Sequence, residues 1–520
     1  MIMKHGNRIR LLLLSLAITG ILTQKILPNN LVQHNKNDDL TELSKAIQSP
    51  DDQKSNVFSN ILATYHSCSA PEAVVCNDYS CVATPENEVN FFDPITTRKT
   101  NAKDWTFLVY MAADNDLGRF AANNIKQMAA IGSNAHINIV VQLDISISGG
   151  RKITRRYYIE KGRILHLNAN DAQSQQMDSG SPETLISFCT WAITEFPAEH
   201  YALVFWNHGT GILDPNRGRI INATELFTFN PAINRFELDR SIGFFDFINV
   251  INQEDEQRGI CWDDSTGNYL NNKALDYALE TIKTNLLDGK KLDIIGFDAC
   301  LMSMLEVANI IKKYAHIMVG SQEVELGTGW NYSLVLAPFD QQNLDPLDFG
   351  KHIVKAYQHT YHQITNDFTL SAINLDIIET LEKDAHAIAQ LLTEALKCQK
   401  NGNVKKAIRA CRDKISCTHF DEPSYIDLHH FYMNLDRYIG NFDINHKEKV
   451  TLLSQLRELI HHACSCIQDC VIAKTTGSNL SLAQGISIYF PERKIHASYR
   501  TTTFAASNDW ISFLTTYLSL

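Results

Sequence analysis

Two reactive side chains in this sequence share an unusual setting. Cys300 follows shortly after the apolar run LDIIGF at 292–297, and His208 follows shortly after YALVFW at 201–206. A thiol and an imidazole brought together are a nucleophile and its acid/base partner, able to open an acyl bond through a covalent intermediate. The attacking species is the thiolate, which at an unperturbed pKa of roughly 8.5 is scarce at neutral pH, so a base or electropositive surroundings must help. With 12 cysteines and 19 histidines in the chain, accidental pairs are common, and most buried cysteines are inert small hydrophobes. The shared context is what selects these two: each lies just past an apolar run, and each is followed by a turn or helix start. Gly209 lets backbone approach a substrate carbonyl, and Ala299 keeps the approach to Cys300 uncrowded.

The elements that must position them are the strands of a parallel sheet. Short apolar runs rich in β-branched and aromatic residues, alternating with helical patterns, predict an α/β fold. In such sheets ligands gather beyond the carboxyl ends of the strands. Strands are expected at 105–111, 137–143, 155–161, 201–206, 292–297 and 317–320, with helices at 117–130, 182–196, 271–284 and 303–313. Ser181 followed by Pro182 reads as a helix cap and first helical residue. From about 345 the pattern turns helical, at 348–363, 376–395 and 447–462, with late strands at 370–375 and 485–490. The predicted fold is therefore a mostly parallel sheet flanked by helices, with a helix-rich α+β C-terminal lobe. The domain reading is an N-terminal signal or anchor (1–27), a polar linker or pro-segment (28–102), a catalytic domain (103–340) interrupted by an insertion (214–258), and the C-terminal lobe (341–520).

Several motifs in order extend the pattern: WTFLVYM at 105–111 with AADNDL at 112–117, HGTG at 208–211, CWDD at 261–264, DACLM at 298–302, GSQE at 320–323 with Gly329 and Trp330, GISIYFP at 485–491, and DWISFL at 509–514. Together they resemble the clostripain family of cysteine peptidases, within the caspase-like clan. The resemblance implies a caspase-like fold and an endopeptidase acting on proteins or peptides, with Cys300 attacking the scissile carbonyl and His208 protonating the departing amine. It points to the amides of Gly209 and Cys300 as an oxyanion hole, and the clan pattern requires no third catalytic residue. Family preference for Arg or Lys is associated with acidic pocket residues, one of them two positions before the nucleophile, where this chain has Asp298. A second acidic group corresponds to the segment from Glu323 to Trp330; Thr328 stands in its place, with Glu323 or Glu325 able to compensate. Self-cleavage between histidine and cysteine, also implied by the family, would fall in the insertion, which carries Arg217, Arg219, Arg235, Arg240 and Arg258. Its apolar stretch from Phe236 to Ile251 could pack or cover the site instead.

A catalytically silent binding protein on the same scaffold and a thiol peptide ligase are the alternative readings, separable by a thiol probe and an added amine acceptor. The net charge of −11 and the lack of clustered Lys and Arg argue against nucleic acid. Lys4, Arg8 and Arg10 precede an apolar stretch at 11–22, the length of a signal-peptide core rather than of a bilayer span. Export, as a secreted or periplasmic protein, follows; retention of that segment as an anchor would be the only membrane contact. Oligomeric state is left open. Export permits disulfides among Cys68, Cys76 and Cys81 and among Cys464, Cys466 and Cys470. Zinc at the later cluster, beside His461 and His462, fits no familiar spacing. No cofactor is expected, although Asp114 with Asp116, and Asp263 with Asp264, offer oxygen ligands for calcium without a full loop of them.

Overall fold

A computed structural model describes residues 102–147, 150–213, 226–240, 259–444 and 449–520. The signal or anchor segment, the linker, Cys68, Cys76 and Cys81, and much of the insertion lie outside the described residues.

The chain begins with β1 (Lys103–Ala112), β2 (Ile137–Ile147), β3 (Arg151–Glu160), β4 (Arg163–His166) and β5 (Ala198–Trp206). Two short hairpins follow, β6 (Phe227–Asn230) with β7 (Arg235–Leu238), and β8 (Ile260–Asp263) with β9 (Asn268–Leu270). Then come β10 (Leu292–Asp298), β11 (Ala315–Gly320), β12 (Thr369–Asn374), β13 (Tyr425–Asp427), β14 (Val471–Thr476) and β15 (Ser487–Tyr489). Nine of them form one sheet in the order β14-β12-β11-β10-β5-β1-β2-β3-β4. Its centre, β11-β10-β5-β1-β2, is parallel throughout, and antiparallel strands close both edges.

The central strands read as continuous apolar runs because both faces are covered. From Trp105 to Ala112 every residue of β1 is buried, as are the ends of β5 and β10. Helices at Gly118–Ile131, Pro182–Glu195, Asn272–Leu286 and Pro346–Tyr361 connect the strands. Ser181 caps the second of these as expected, its hydroxyl accepting from the Glu183 N–H with Pro182 in the first turn. The late strand expected at 370–375 is β12, which joins the central sheet; the one at 485–490 is β15, paired with β13.

The described part of the insertion is built onto the body. Phe236 N–H donates to Ile364 O at 2.8 Å, and Arg235 reaches His362 O and Asn366 Oδ1, each at 2.8 Å. Arg240 Nη2 lies 2.9 Å from Glu323 Oε2. These contacts place the β6–β7 hairpin as a docked cover.

Candidate active site

Strands β5 and β10 are hydrogen-bonded neighbours, and their register pairs Trp206 with Asp298. His208 and Cys300 are therefore each two residues past a matched pair, so both leave the sheet at one level and on adjacent ribbons. Asn207 N–H still donates to Asp298 O at 3.3 Å, carrying the ladder one step beyond the strands. His208 and Cys300 line a common cavity with Leu117, Leu226, Asp298 and Glu325. Both are nearly sealed from solvent, at 8 % and 6 % exposure.

The backbone after each strand is tightly constrained. A Cβ on Gly209 would come within 2.4 Å of Cys300 O and 3.0 Å of the Ala299 Cβ, so only glycine lets the two turns touch. Leu301, directly after the nucleophile candidate, has φ of 63°, a left-handed conformation disfavoured for a branched side chain. Its N–H donates to Glu323 O at 3.1 Å, which helps hold the turn in that shape. Among the described residues the amides of Gly209 and Cys300, the expected oxyanion donors, make no backbone hydrogen bond.

The imidazole has a partner that sequence reasoning missed. Asp116 Oδ1 lies 2.6 Å from His208 Nε2, both side chains largely buried. Burial alone would depress the His208 pKa, but the Asp116 carboxylate, aided by Asp264, outweighs it and raises the pKa above the ordinary histidine value. The thiol moves the same way for the opposite reason: burial pushes the Cys300 pKa far up, and the carboxylates of Glu325, Asp421 and Glu323 add to the shift. Against them stands the Glu325 N–H, which donates to Cys300 Sγ at 3.2 Å and favours the thiolate. In this closed state the groups rest as thiol and, over a widened pH range, imidazolium.

The acids offered for calcium are divided between two tasks. Asp114, Asp263 and Asp144 converge on the Lys152 ammonium: Asp144 Oδ2 is 2.9 Å away, Asp114 Oδ2 is 3.6 Å away, and Asp263 is in direct contact. Asp263 also accepts from Ser179 N–H at 2.9 Å and Thr266 N–H at 3.1 Å. Asp116 and Asp264 face His208 instead. Lys152 thus sits among the first group of acids and the His208 ring beside the second.

Of the residues expected to touch substrate, Asp298 lines the cavity. Its Oδ1 accepts from Trp330 N–H at 3.0 Å and its Oδ2 from Tyr332 Oη at 2.8 Å. Trp330 thus contributes through its backbone. Glu323 is engaged elsewhere: Oε1 accepts from the N–H groups of Val324 and Asp421 at 2.9 and 2.8 Å, and Oε2 pairs with Arg240. Thr328 Oγ1 lies 2.9 Å from Tyr361 Oη. At the later cysteine cluster, Cys464, Cys466 and Cys470 are free thiols, and His462 Nδ1 meets Asp384 Oδ2 at 2.8 Å. Among the described residues no helix is long and apolar enough to cross a membrane.

A sequence model described as "Clostripain family" matches residues 109–231 and 224–516, most of the chain. The chain belongs to the clostripain family. It is accordingly a cysteine endopeptidase acting on peptide or protein substrates. Clostripain from Hathewaya histolytica is 23 % identical over 473 residues, covering 80 % of this chain and 81 % of the relative. Among solved structures, a secreted C11 cysteine protease from Bacteroides thetaiotaomicron, bound to an irreversible peptide inhibitor, is 20 % identical with a TM-score of 0.50, covering 79 % of this chain and 99 % of that one. An inactive zymogen C11 protease from Parabacteroides distasonis is 18 % identical with a TM-score of 0.45, covering 78 % and 98 %. The caspase-like fold expected from the motifs is thus the fold observed.

Proposed function

We propose that this chain is an exported cysteine endopeptidase that cleaves after Arg or Lys with Cys300 as nucleophile and His208 as acid/base, and that it is made as a self-processed precursor. The observation that carries the catalytic assignment is the matched register of β5 and β10, which sends imidazole and thiol into one cavity.

The chemistry follows from the proton inventory. The Cys300 thiol first loses its proton, to a neutral His208 where the ring is uncharged and to solvent where it is already imidazolium; Sγ as thiolate then attacks the scissile carbonyl carbon, the π electrons move to oxygen, and the oxyanion is met by the amides of Gly209 and Cys300. Collapse of the tetrahedral species breaks the C–N bond, and the amine leaves with a proton from His208. With Nε2 held by Asp116, proton exchange falls to the ring's Nδ1. The acyl group remains as a thioester. Water then attacks it, giving its proton to the now neutral imidazole, and the thiolate departs as the acid product leaves. Asp116 positions the ring and favours its protonated form, a role that no pattern in the sequence singled out.

Self-processing is supported by the docked insertion. Leu226 lines the cavity and Arg240 clamps the following stretch to Glu323, so part of the insertion closes over the catalytic groups. The basic and then apolar N-terminus supports export. Preference for Arg or Lys is supported by Asp298, a buried carboxylate beside the nucleophile, since a carboxylate can take a guanidinium bidentately. Purified Cys300→Ala protein tests the assignment: loss of both peptide cleavage and internal cutting is expected, and persistence of both would refute it. A fluorogenic panel without basic preference would overturn the specificity.

A further inference from the structure

We infer that His462, Cys466 and Asp384 form a zinc site that ties together two helices of the C-terminal lobe, separate from the catalytic cavity.

The site starts from a helical spacing. His462 and Cys466 are four residues apart on the helix Lys449–Cys470, so they stand one above the other on the same face. That helix packs against the helix Ile378–Lys397, which carries Asp384. An imidazole, a thiol and a carboxylate therefore meet across the seam between two helices. His462 Nδ1 is 2.8 Å from Asp384 Oδ2 and 3.7 Å from Cys466 Sγ, and Nε2 is 4.0 Å from the same sulfur. One ring nitrogen thus faces both other donors, and the ligand atoms all lie within 4.8 Å of one another.

The distances suit a small ion. Zinc bonds of about 2.0 to 2.3 Å arranged tetrahedrally separate neighbouring ligand atoms by roughly 3.3 to 3.7 Å. The sulfur–nitrogen gap already has that value. The nitrogen–oxygen gap has to open by only roughly half an ångström as its hydrogen bond is exchanged for metal bonds. A mixed nitrogen, sulfur and oxygen set is what zinc accepts, whereas calcium and magnesium take oxygen ligands. Burial is graded in a useful way: Asp384 is buried, Cys466 half-buried and His462 exposed. The carboxylate is a fixed base, and the ion enters from the solvent side, where water completes its coordination.

The other residues of this cluster are turned elsewhere. Cys464 is two positions from Cys466 and so projects from another side of the helix, where it is buried. Cys470 Sγ donates to Ile467 O at 3.5 Å, and His461 Nε2 meets Asp436 Oδ2 at 3.4 Å. The third ligand comes from 78 residues earlier in the chain, which is why the local spacing matches no familiar pattern.

The thiol gains most from the ion. Burial, and then the Asp384 charge, push the Cys466 pKa up to about 11. A divalent cation between sulfur and carboxylate turns that repulsion into attraction. Cys466 gives its proton to solvent as the sulfur–metal bond forms, and neutral His462 donates the Nδ1 lone pair. None of the three side chains lines the cavity that holds Cys300 and His208. Occupancy therefore acts on stability: an ion that binds the folded chain in preference to the unfolded one raises the melting temperature as its concentration rises.

The test uses full-length Cys300→Ala protein, because the catalytic thiol and imidazole would compete for the same ions. Co²⁺, a spectroscopic stand-in for zinc, is titrated into this protein and into the same protein carrying Cys466→Ser or His462→Gln, and melting is followed against Zn²⁺ concentration. The expected result is a near-ultraviolet sulfur-to-cobalt absorption that saturates at a single ion per chain, and a Tm that climbs with zinc. Cys466→Ser should abolish the absorption, and each ligand variant should weaken binding by at least roughly 10- to 100-fold, the loss typical even of partners outside the metal's own ligands. His462→Gln alters an exposed side chain and gives an independent reading if Cys466→Ser folds poorly. Absence of the absorption from the parent, its survival unchanged in the ligand variants, or melting that ignores zinc would overturn the inference.

Discussion

Replacing Asp116 by Asn gives the sharpest probe of how the imidazole is held. The substitution preserves size but removes the charge 2.6 Å from His208 Nε2. A hydrogen bond to a charged group is worth about 1.5 to 3 kcal/mol. At about 1.4 kcal/mol per pKa unit, His208 should fall by about 1 to 2 units. Leaving-group protonation needs the imidazolium, so the alkaline limb of the acylation rate follows this pKa. In the wild type the limb lies above the ordinary histidine range, because Asp116 and Asp264 outweigh burial; in Asp116→Asn it should move toward acid by the same 1 to 2 units, about, as the lost bond predicts. Neutral-pH activity should drop by roughly 10- to 100-fold. The assay is kcat/KM against pH, from acid to alkaline, with a fluorogenic peptide. Superimposable profiles for the two enzymes would refute the reasoning, since an electrostatic role cannot be removed without moving the limb. Stability follows the same linkage: a raised folded-state pKa stabilises the fold below the unfolded value of about 6.5, and this contribution is lost as pH rises through the folded value.

Three further outcomes follow from the geometry. Gly209→Ala should cut activity by roughly 100-fold or more while leaving a folded protein, because its Cβ would lie 2.4 Å from Cys300 O and the two turns must separate; circular dichroism with turnover measurements checks both halves. Calcium chelation should leave turnover unchanged, whereas Lys152→Met, which strands the carboxylates around it, should destabilise the fold by about 3 to 5 kcal/mol in denaturant titration. Arg240→Ala should lower stability and hasten labelling of Cys300 by a thiol reagent, because the clamp on Glu323 is lost; an unaltered labelling rate would argue against a cover.

The sheet and the meeting of His208 with Cys300 in one cavity were legible in the sequence for one reason: buried parallel strands are apolar without interruption, so the points where they stop on Asn207-His208 and Asp298 to Cys300 stand out. Relations that depend on side-chain direction were not. Asp116 sits in a run of acids and amides whose pattern equally suits capping or calcium, and nothing local says that it faces β5. Lys152 was hidden because β3 starts earlier than its apolar residues indicate, and a lysine near the start of a strand ordinarily points to water. That Glu323 is taken up by Arg240 depends on a side chain reaching across the fold. The insertion's length was visible, but its docking depends on backbone carbonyl acceptors at His362 and Ile364 that carry no sequence signal.

The strand order has one more implication. Every strand of the main sheet that precedes the insertion, β1 through β5, lies on one side of the β5/β10 ladder, and every one that follows it lies on the other. A chain severed within the insertion thus splits into halves that share the sheet along one ladder, one bearing the imidazole and the other the sulfur. Neither half can work alone, so a denatured, cut enzyme should regain activity at a speed set by the concentration of both pieces, like a lock whose key and barrel are made separately.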